Sequence, residues 1–195
     1  MLNYTEPLHI ILGSQSPRRR ELMAGLDIPF FCVTIDADES YPAELKAGDI
    51  PMYISRAKAR AYVSELQDND LLITSDTIVW LNGVMLGKPQ DEAEAKAMLA
   101  RLSGQTHEVY TAVCFADKNG ELETWVDCTK VTFNTLSEED IDYYVSKYRP
   151  LDKAGAYGVQ EWIGYVGVTR MEGSYFNVMG FPICHVYERL KKYLR

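Results

Sequence analysis

The most constraining feature of the sequence is an apolar run at 71–81, LLITSDTIVWL, with a carboxylate in its middle. A strand that is apolar on both faces is typical of the centre of a sheet covered by helices on both sides. The Asn82-Gly83 pair that follows favours a tight hairpin turn, which adds an antiparallel strand. The run therefore predicts an α/β fold with a mixed sheet.

The rest of the chain alternates strand and helix patterns, as an α/β fold requires. Strands are predicted at about 8–12, 30–35, 107–116 and 122–133, with short strands around 163–171. Helices are predicted at about 17–26, 49–66, 91–102, 137–147 and 182–190, with Gly104 ending the third helix and Ser137 capping the fourth. No internal repeat or linker interrupts the pattern, so we expect residues 1–195 to form a single domain.

The composition narrows the class of protein. The net charge is −8 and the isoelectric point is near 4.9, which argues against a nucleic-acid-binding surface. The four cysteines and three histidines are scattered, so a zinc site is not expected. With neither a signal peptide nor an apolar run long enough to span a bilayer, we expect reduced thiols, a cytoplasmic protein and no membrane partner.

A turn rich in hydroxyls and arginines follows the first strand. We expect Ser16 to cap a helix whose first residue is Pro17, where a missing N–H costs nothing. Arg18 and Arg19 then lie at the helix end where cations are unfavourable by about 0.3–1 kcal/mol each. An anionic ligand at this end would compensate that cost, and a solvated basic turn is the alternative.

Asp76 is the most informative single residue, because a carboxylate inside an apolar strand needs a cation or a metal as partner. The alternative is that the strand ends there and Asp76 caps a loop. Glu39 lies in an acidic loop and Lys58 on a helix, and each could simply be solvated. Taken together with Arg18, Arg19 and Lys88, these residues suit metal-dependent hydrolysis of a phosphate ester or anhydride.

The order of six motifs resembles the Maf family, which is named for septum formation and regarded as house-cleaning nucleoside triphosphate pyrophosphatases. The matching segments are Ser14-Gln15-Ser16-Pro17-Arg18-Arg19 with Glu21-Leu22, Asp38-Glu39, Lys58, Ser75-Asp76-Thr77 with Gly87-Lys88-Pro89, residues 152–160 (DKAGAYGVQ) and residues 173–182 (GSYFNVMGFP). Mild departures from the family pattern occur at Gly13, Ser75 and Asn82, none of which is a proposed catalytic group.

This resemblance implies an elongated α/β fold, similar to that of inosine triphosphatases, with two lobes around a central cleft. It also implies hydrolysis between the α- and β-phosphates, which releases a monophosphate and pyrophosphate. Asp76 would be the general base, and Glu39 with Asp76 would hold a divalent magnesium or manganese ion. Lys58 and Lys88 would neutralise the phosphate chain, together with Ser14 and Arg19.

Within the family, positions matching Arg18, Thr77 and Gln160 are associated with base selection. Arginine at the first of these points to the branch that acts on dTTP and UTP, and a house-cleaning role predicts that modified pyrimidine nucleotides are accepted as well. Three alternatives stay open: a 7-methyl-GTP pyrophosphatase, an enzyme for non-standard purine triphosphates, and a nucleotide-binding regulator of septation with little turnover. The family resemblance also implies a homodimer.

Overall fold

The computed structural model describes residues 8–194, which form seven strands and seven helices. The strands are β1 (His9–Gly13), β2 (Phe30–Val33), β3 (Asp70–Leu81), β4 (Val84–Leu86), β5 (Thr106–Asp117), β6 (Gly120–Phe133) and β7 (Val168–Glu172). The helices are α1 (Pro17–Ala24), α2 (Asp49–Arg60), α3 (Glu92–Leu102), α4 (Glu138–Tyr148), α5 (Trp162–Gly167), α6 (Tyr175–Val178) and α7 (Ile183–Leu190). Short 3₁₀ turns occur at Val63–Glu65 and Ala154–Ala156.

The strands form one mixed sheet in the order β2-β1-β3-β5-β6-β7, with β4 also paired to β3. β1 runs parallel to β2 and to β3, and its Gly13 pairs with Val33 on one side and Thr74 on the other. β4 runs antiparallel to β3, and β7 runs antiparallel to β6. The predicted α/β class with a mixed sheet is confirmed.

By internal contacts the chain divides into two compact units. Unit 1 contains the chain up to Asp76, Thr111–Asp127 and the chain from Gly180 onward. It has two apolar clusters whose residues alternate along the strands, as expected when both faces of a sheet are buried. Ile10, Leu12, Leu71 and Ile73 belong to one cluster with Met23 of α1 and with Val186 and Leu190 of α7. Ile11 and Leu72 belong to the other cluster, with Ala59 of α2.

Unit 2 contains Thr77–Tyr110 and Cys128–Met179. A single large cluster joins the inner faces of α3 and α4 to the strands, and it includes Leu99, Leu102, Tyr144 and Val145. A buried aromatic group extends this cluster: His107, Phe133 and Tyr157 meet edge to face with ring centroids 5.0–5.4 Å apart. Such aromatic pairs add to the stability that simple burial provides.

Predictions of turns and helix caps are confirmed where the local conformation strongly favours particular residues. Asn82 and Gly83 adopt φ values of 50° and 83°, as the predicted hairpin turn requires. Ser137 forms a reciprocal capping box with Asp140 at the start of α4. Gly104 adopts a φ of 67° just after α3.

Two predictions are corrected, and one short helix was not predicted. Of the short strands predicted around 163–171, only β7 from Val168 is observed. Residues 162–167 form the helix α5, in which Gly164 lies so near Val159 that an added Cβ would be 1.8 Å from its carbonyl oxygen. The predicted helix at 49–66 ends at Arg60 and continues only as a 3₁₀ turn. The short helix α6 was not predicted, because four residues carry no measurable periodicity.

Candidate active site

A lysine between two carboxylates forms the main polar cluster of unit 1. Lys58 Nζ lies 2.8 Å from Asp76 Oδ1 and 2.9 Å from Glu39 Oε1. The side chains of Lys58 and Asp76 are each 13% exposed, whereas that of Glu39 is 53% exposed. The prediction that Asp76 has a cation partner is confirmed. The alternative that the strand ends at Asp76 is wrong, because β3 continues to Leu81.

The register of β3 against α2 explains how Lys58 reaches Asp76. Alternate residues of a strand share a face, so Leu72, Thr74 and Asp76 all point to the side on which Leu72 packs with Ala59 of α2. Thr74 Oγ1 donates a 2.7 Å hydrogen bond to the carbonyl oxygen of Ser55, and both residues are fully buried. Lys58 lies three residues after Ser55, on the same side of the helix. The buried hydrogen bond therefore holds α2 in the register that aligns Lys58 with Asp76.

Glu39 comes from the loop after β2, and a tight turn orders that loop. Asp38 accepts 2.8 Å hydrogen bonds from the backbone N–H and from the hydroxyl of Ser40. These hydrogen bonds lower the pKa of Asp38 from its ordinary value, and the one from the backbone N–H has the larger effect. Asp38 is thus engaged within its own loop, while the neighbouring Glu39 extends to Lys58.

The start of α1 differs from the expected cap. Ser16 is the N-cap residue and Pro17 follows it, but the Ser16 side chain makes no capping hydrogen bond. Ser14 Oγ instead accepts a 3.2 Å hydrogen bond from the Ser16 N–H. The carbonyl oxygen of Ser14 accepts from Arg20 Nε and Nη2, each at 3.3 Å. Backbone acceptors therefore already compensate part of the cost of placing arginines at this helix end.

Arg19 donates hydrogen bonds to two backbone carbonyl groups, one of which belongs to β3. Its Nε donates to the carbonyl oxygen of Gly180 at 2.8 Å, and its Nη1 donates to that of Ser75 at 2.9 Å. Burial lowers the pKa of Arg19 from its ordinary value, while the nearby charges of Asp76 and Glu39 oppose that shift. Arg19 thus contributes positive charge beside the two carboxylates and holds the strand at the residue before Asp76. Arg18, next to it, is half-buried.

Three further predicted site residues belong to unit 2. Thr77 follows Asp76 directly in β3 and is half-buried, and Lys88 is an exposed residue after β4. The carbonyl oxygen of Gly87 accepts a 3.0 Å hydrogen bond from the N–H of Gly155. Gly155 has a φ of 67°, and an added Cβ would lie 2.9 Å from Val79 Cγ2, so only glycine fits there. This contact joins the segment carrying Lys88 to the DKAGAYGVQ segment that ends at Gln160.

Gln160 is half-buried, and its Oε1 is shielded from solvent. Within residues 8–194 no group donates a hydrogen bond to that oxygen. A buried acceptor left unpaired costs roughly 1–3 kcal/mol, so such groups mark positions that call for an explanation.

A search against protein families matches residues 9–193 to the model described as Maf-like protein. The chain belongs to the Maf-like family. The resemblance found from the six motifs is therefore confirmed over almost the whole length.

Two curated relatives of this Maf-like chain carry the same name. The dTTP/UTP pyrophosphatase of Bacteroides thetaiotaomicron is 53% identical over 193 residues, which are 98% of this chain and 100% of the relative. The dTTP/UTP pyrophosphatase of Porphyromonas gingivalis strain W83 is 50% identical over 196 residues, which are 99% of this chain and 98% of the relative.

A solved structure supports the fold. The Ham1 protein of Staphylococcus aureus superposes with a TM-score of 0.50 at 16% identity, and the match covers 93% of this chain and 99% of that one. At this identity the likeness extends to the fold alone.

The sequence analysis missed several polar residues that organise these segments in the Maf-like chain. Thr74 and Ser55 were not singled out. Neither was the buried Asn177, whose Nδ2 donates to the Val109 carbonyl oxygen at 3.0 Å and to Thr129 Oγ1 at 2.9 Å. A polar residue inside an apolar segment is the available signal, since it needs a buried partner. Lys153 lies within the quoted DKAGAYGVQ motif, but no role was assigned to it.

Among residues 8–194 there is no cluster of three or more His, Cys, Asp or Glu side chains arranged to hold a metal ion. Over the same residues, no helix has the length and apolar character needed to cross a membrane. The four cysteines, all described, are free thiols.

Proposed function

We propose that this Maf-like protein hydrolyses dTTP and UTP between the α- and β-phosphates, releasing a nucleoside monophosphate and pyrophosphate. The names of relatives about 50% identical over nearly the full length support this choice of substrate. The contact of Lys58 Nζ with Asp76 at 2.8 Å and Glu39 at 2.9 Å is the observation that carries the proposal, because it brings two carboxylates and a cation together.

Asp76 is the proposed general base. Its Oδ1 contacts Lys58, whereas no described residue hydrogen-bonds to its Oδ2, which leaves an oxygen able to accept a proton. Asp76 takes a proton from water while the water oxygen forms a bond to the α-phosphorus. The bond from the α-phosphorus to the bridging oxygen breaks, and pyrophosphate leaves with that electron pair. General-base catalysis of this kind contributes about 10²–10⁴-fold to a rate.

We propose that Glu39 and Asp76 together hold a divalent cation, magnesium or manganese. The donor set fits, because both carboxylates already converge on one positive charge, the Lys58 ammonium, and carboxylate oxygens are the ligands these hard ions prefer. Magnesium usually needs only one or two carboxylates besides substrate phosphates and water. When bound, such an ion would neutralise charge on the phosphate oxygens.

The remaining site residues have proposed binding roles. Lys58 and Lys88 neutralise the phosphate chain, aided by Ser14 and Arg19. Because Arg19 Nε and Nη1 already donate to carbonyl oxygens, we expect its contribution to be long-range charge and support of β3. Base selection is assigned to Arg18, Thr77 and Gln160. An amide fits this role, since it can both donate to and accept from a pyrimidine edge.

We also propose that residues 1–195 act as one functional domain in the cytoplasm, as a homodimer, with no nucleic-acid or membrane partner. The family model that spans residues 9–193 supports a single functional domain. The homodimer rests on the family resemblance, and the cytoplasmic setting rests on the expectation that the thiols are reduced. Light scattering during size-exclusion chromatography tests the dimer, which a monomeric mass at working concentration would contradict.

A panel of nucleoside triphosphates assayed for pyrophosphate and for orthophosphate tests the bond and the base together. The panel contains dTTP, UTP, CTP, modified pyrimidine triphosphates, ITP and 7-methyl-GTP, each with magnesium and with manganese. We expect pyrophosphate release that is fastest with dTTP and UTP. Faster turnover of 7-methyl-GTP or ITP would reassign the substrate, and tight binding without turnover would favour a regulatory role.

A further inference from the structure

A second cluster of charges, in unit 2, has no role in the mechanism described so far. Lys153 Nζ lies 2.7 Å from Asp152 Oδ1 and 3.2 Å from Glu161 Oε1. The Lys153 side chain is 9% exposed and that of Glu161 is 20% exposed. One ammonium group therefore contacts two carboxylates in this cluster.

The other carboxylate oxygen of Glu161 is fixed by a tyrosine. Tyr144 OH donates a short hydrogen bond to Glu161 Oε2, and the same hydroxyl accepts a 3.0 Å hydrogen bond from the Gly158 N–H. Burial and the hydrogen bond to Glu161 raise the pKa of Tyr144 above its ordinary value, so the hydroxyl keeps the proton that it donates. The Glu161 carboxylate is therefore tied to the backbone at Gly158.

Gly158 also shows how near this carboxylate is to the Gln160 amide. A Cβ added to Gly158 would lie 3.0 Å from Glu161 Oε2 and 3.1 Å from Gln160 Nε2, so both atoms lie next to this glycine. The carboxylate and the amino end of the amide are thus neighbours above the same glycine. The other end of the amide, Oε1, has no hydrogen-bond donor among the described residues. The orientation of the amide is therefore not fixed from its oxygen side.

We propose that Glu161 is a positioning residue that fixes the orientation of the Gln160 amide and thereby sets the choice between uracil and cytosine. This inference rests on the proposed function, in which Gln160 contacts the base. A carboxylate attracts the amino end of an amide and repels its carbonyl oxygen. The Glu161 charge thus favours the orientation with Nε2 towards Gly158 and disfavours its reversal.

The orientation matters because the two pyrimidine edges have reversed hydrogen-bonding patterns. Uracil and thymine present an N3–H donor and an O4 acceptor, whereas cytosine presents an N3 acceptor and an N4–H₂ donor. An amide that turns over freely can match either edge, since it has a donor end and an acceptor end. An amide held in one orientation matches one edge only. Against the other edge it leaves polar groups without hydrogen-bond partners, which weakens binding of that base.

The test is the ratio of kcat/KM for UTP to that for CTP in wild type and in Glu161→Gln. The substitution keeps the size of the side chain and removes its charge. We expect the ratio to fall by about tenfold or more, through KM rather than kcat. Glu108→Gln is the matched control, because Glu108 is a half-buried glutamate of the same unit that also accepts from a tyrosine hydroxyl, that of Tyr110 at 2.9 Å. Its ratio should equal that of wild type.

A merely structural role would lower both kcat/KM values by the same factor and leave the ratio unchanged, and that result would overturn the inference. Should Glu161→Gln not fold, Glu161→Asp gives the same test, since it retracts the charge by one methylene; a smaller fall supports the inference, and an unchanged ratio contradicts it. If wild type releases no pyrophosphate from any nucleotide, the proposed function fails. The ratio is then measured as dissociation constants for UTP and CTP, with the same expected and contrary results.

Discussion

Two lysines of this protein have nearly the same surroundings and different consequences. Lys58 in unit 1 lies 2.9 Å and 2.8 Å from two carboxylates, and Lys153 in unit 2 lies 2.7 Å and 3.2 Å from two others. Each lysine is well shielded, and each has one exposed and one shielded carboxylate partner. Charge, distance and burial alone therefore do not distinguish the two clusters.

The difference lies in the second oxygen of the shielded carboxylate. Glu161 Oε2 accepts from Tyr144, which in turn is held by the N–H of Gly158. Among residues 8–194, no group donates a hydrogen bond to Asp76 Oδ2. The strand is held next to Asp76, because Arg19 donates to the carbonyl oxygen of the preceding residue, Ser75. A carboxylate with both oxygens engaged orients its neighbours, whereas one with an oxygen available can take a proton. This comparison leads to four predictions.

The largest expected effect is that of Asp76→Asn. The amide keeps the shape of the side chain but cannot accept a proton from water, so turnover should fall by about 10²–10⁴-fold while nucleotide affinity is largely kept. Pyrophosphate release and calorimetric binding measure the two quantities. Asp142→Asn is the control, because Asp142 also pairs with a lysine, Lys96, at 2.7 Å. Retained turnover in Asp76→Asn would show that another group is the base.

A second prediction concerns pH, to which the core of unit 2 should respond through His107. Its Nε2 lies 2.7 Å from the Tyr157 hydroxyl, and burial lowers the pKa of His107 from 6.5 to about 4. Between pH 6.5 and pH 4 the unfolded chain binds a proton at His107 that the folded protein does not bind. The free energy of unfolding therefore decreases as the pH falls from 6.5 to 4. The full loss is roughly 3 kcal/mol, since one pKa unit corresponds to about 1.4 kcal/mol.

His107→Gln should remove most of this pH dependence, because glutamine can still hydrogen-bond to Tyr157 but does not titrate. Urea unfolding at a series of pH values between 4 and 7 measures the difference in slope between variant and wild type. Equal slopes for wild type and His107→Gln would contradict the prediction.

The sequence predicted those parts of the fold that local chemistry determines. The Asn82-Gly83 turn and the capping box at Ser137 depend on residues within a few positions, and both are as expected. The strand predicted around 163–171 is confirmed only from Val168 onward. Residues 163–167 belong to α5, where Gly164 lies close to Val159, a contact that no local pattern reveals. The end of α2 was also misjudged, because the helix was predicted to run to about Leu66 and ends at Arg60.

In the candidate site, too, the sequence predicted what local chemistry determines and missed what depends on contacts formed on folding. Asp76 was predicted to have a cation partner from its apolar strand alone, and Lys58 is that partner. The sequence did not show which cation would be that partner, because Arg18, Arg19, Lys58 and Lys88 were all candidates and Lys58 is distant from Asp76 in the sequence. The positioning roles of Thr74 and Glu161 were missed, because each depends on a contact formed only in the folded chain.

A third prediction tests whether the Lys153 cluster stabilises the folded protein. Lys153→Met leaves the shielded Glu161 carboxylate without its cation, and a shielded charge deprived of its partner costs about 1–3 kcal/mol. The melting temperature should fall by roughly 2–4 °C for each kcal/mol in a chain of this size. Lys96→Met, at a lysine that is 42% exposed and pairs with an exposed carboxylate, should change it by much less. Equal shifts in the two variants would show that the Lys153 cluster adds no stability.

The smallest expected effect, at Thr74, tests how the Lys58 cluster is held. Thr74→Val keeps the side-chain shape and removes the hydrogen bond to the Ser55 carbonyl oxygen, which should lower the free energy of unfolding by about 1 kcal/mol. Thr106→Val removes an exposed hydroxyl contact with Thr132 and should be nearly neutral. If the buried bond sets the register of α2, the Thr74 variant also loses severalfold in turnover, because Lys58 is no longer held against Asp76, and the loss is in kcat. A stability loss with unchanged kcat would mean that packing of Ala59 and Leu72 alone keeps α2 in place, and that the hydrogen bond contributes only to folding.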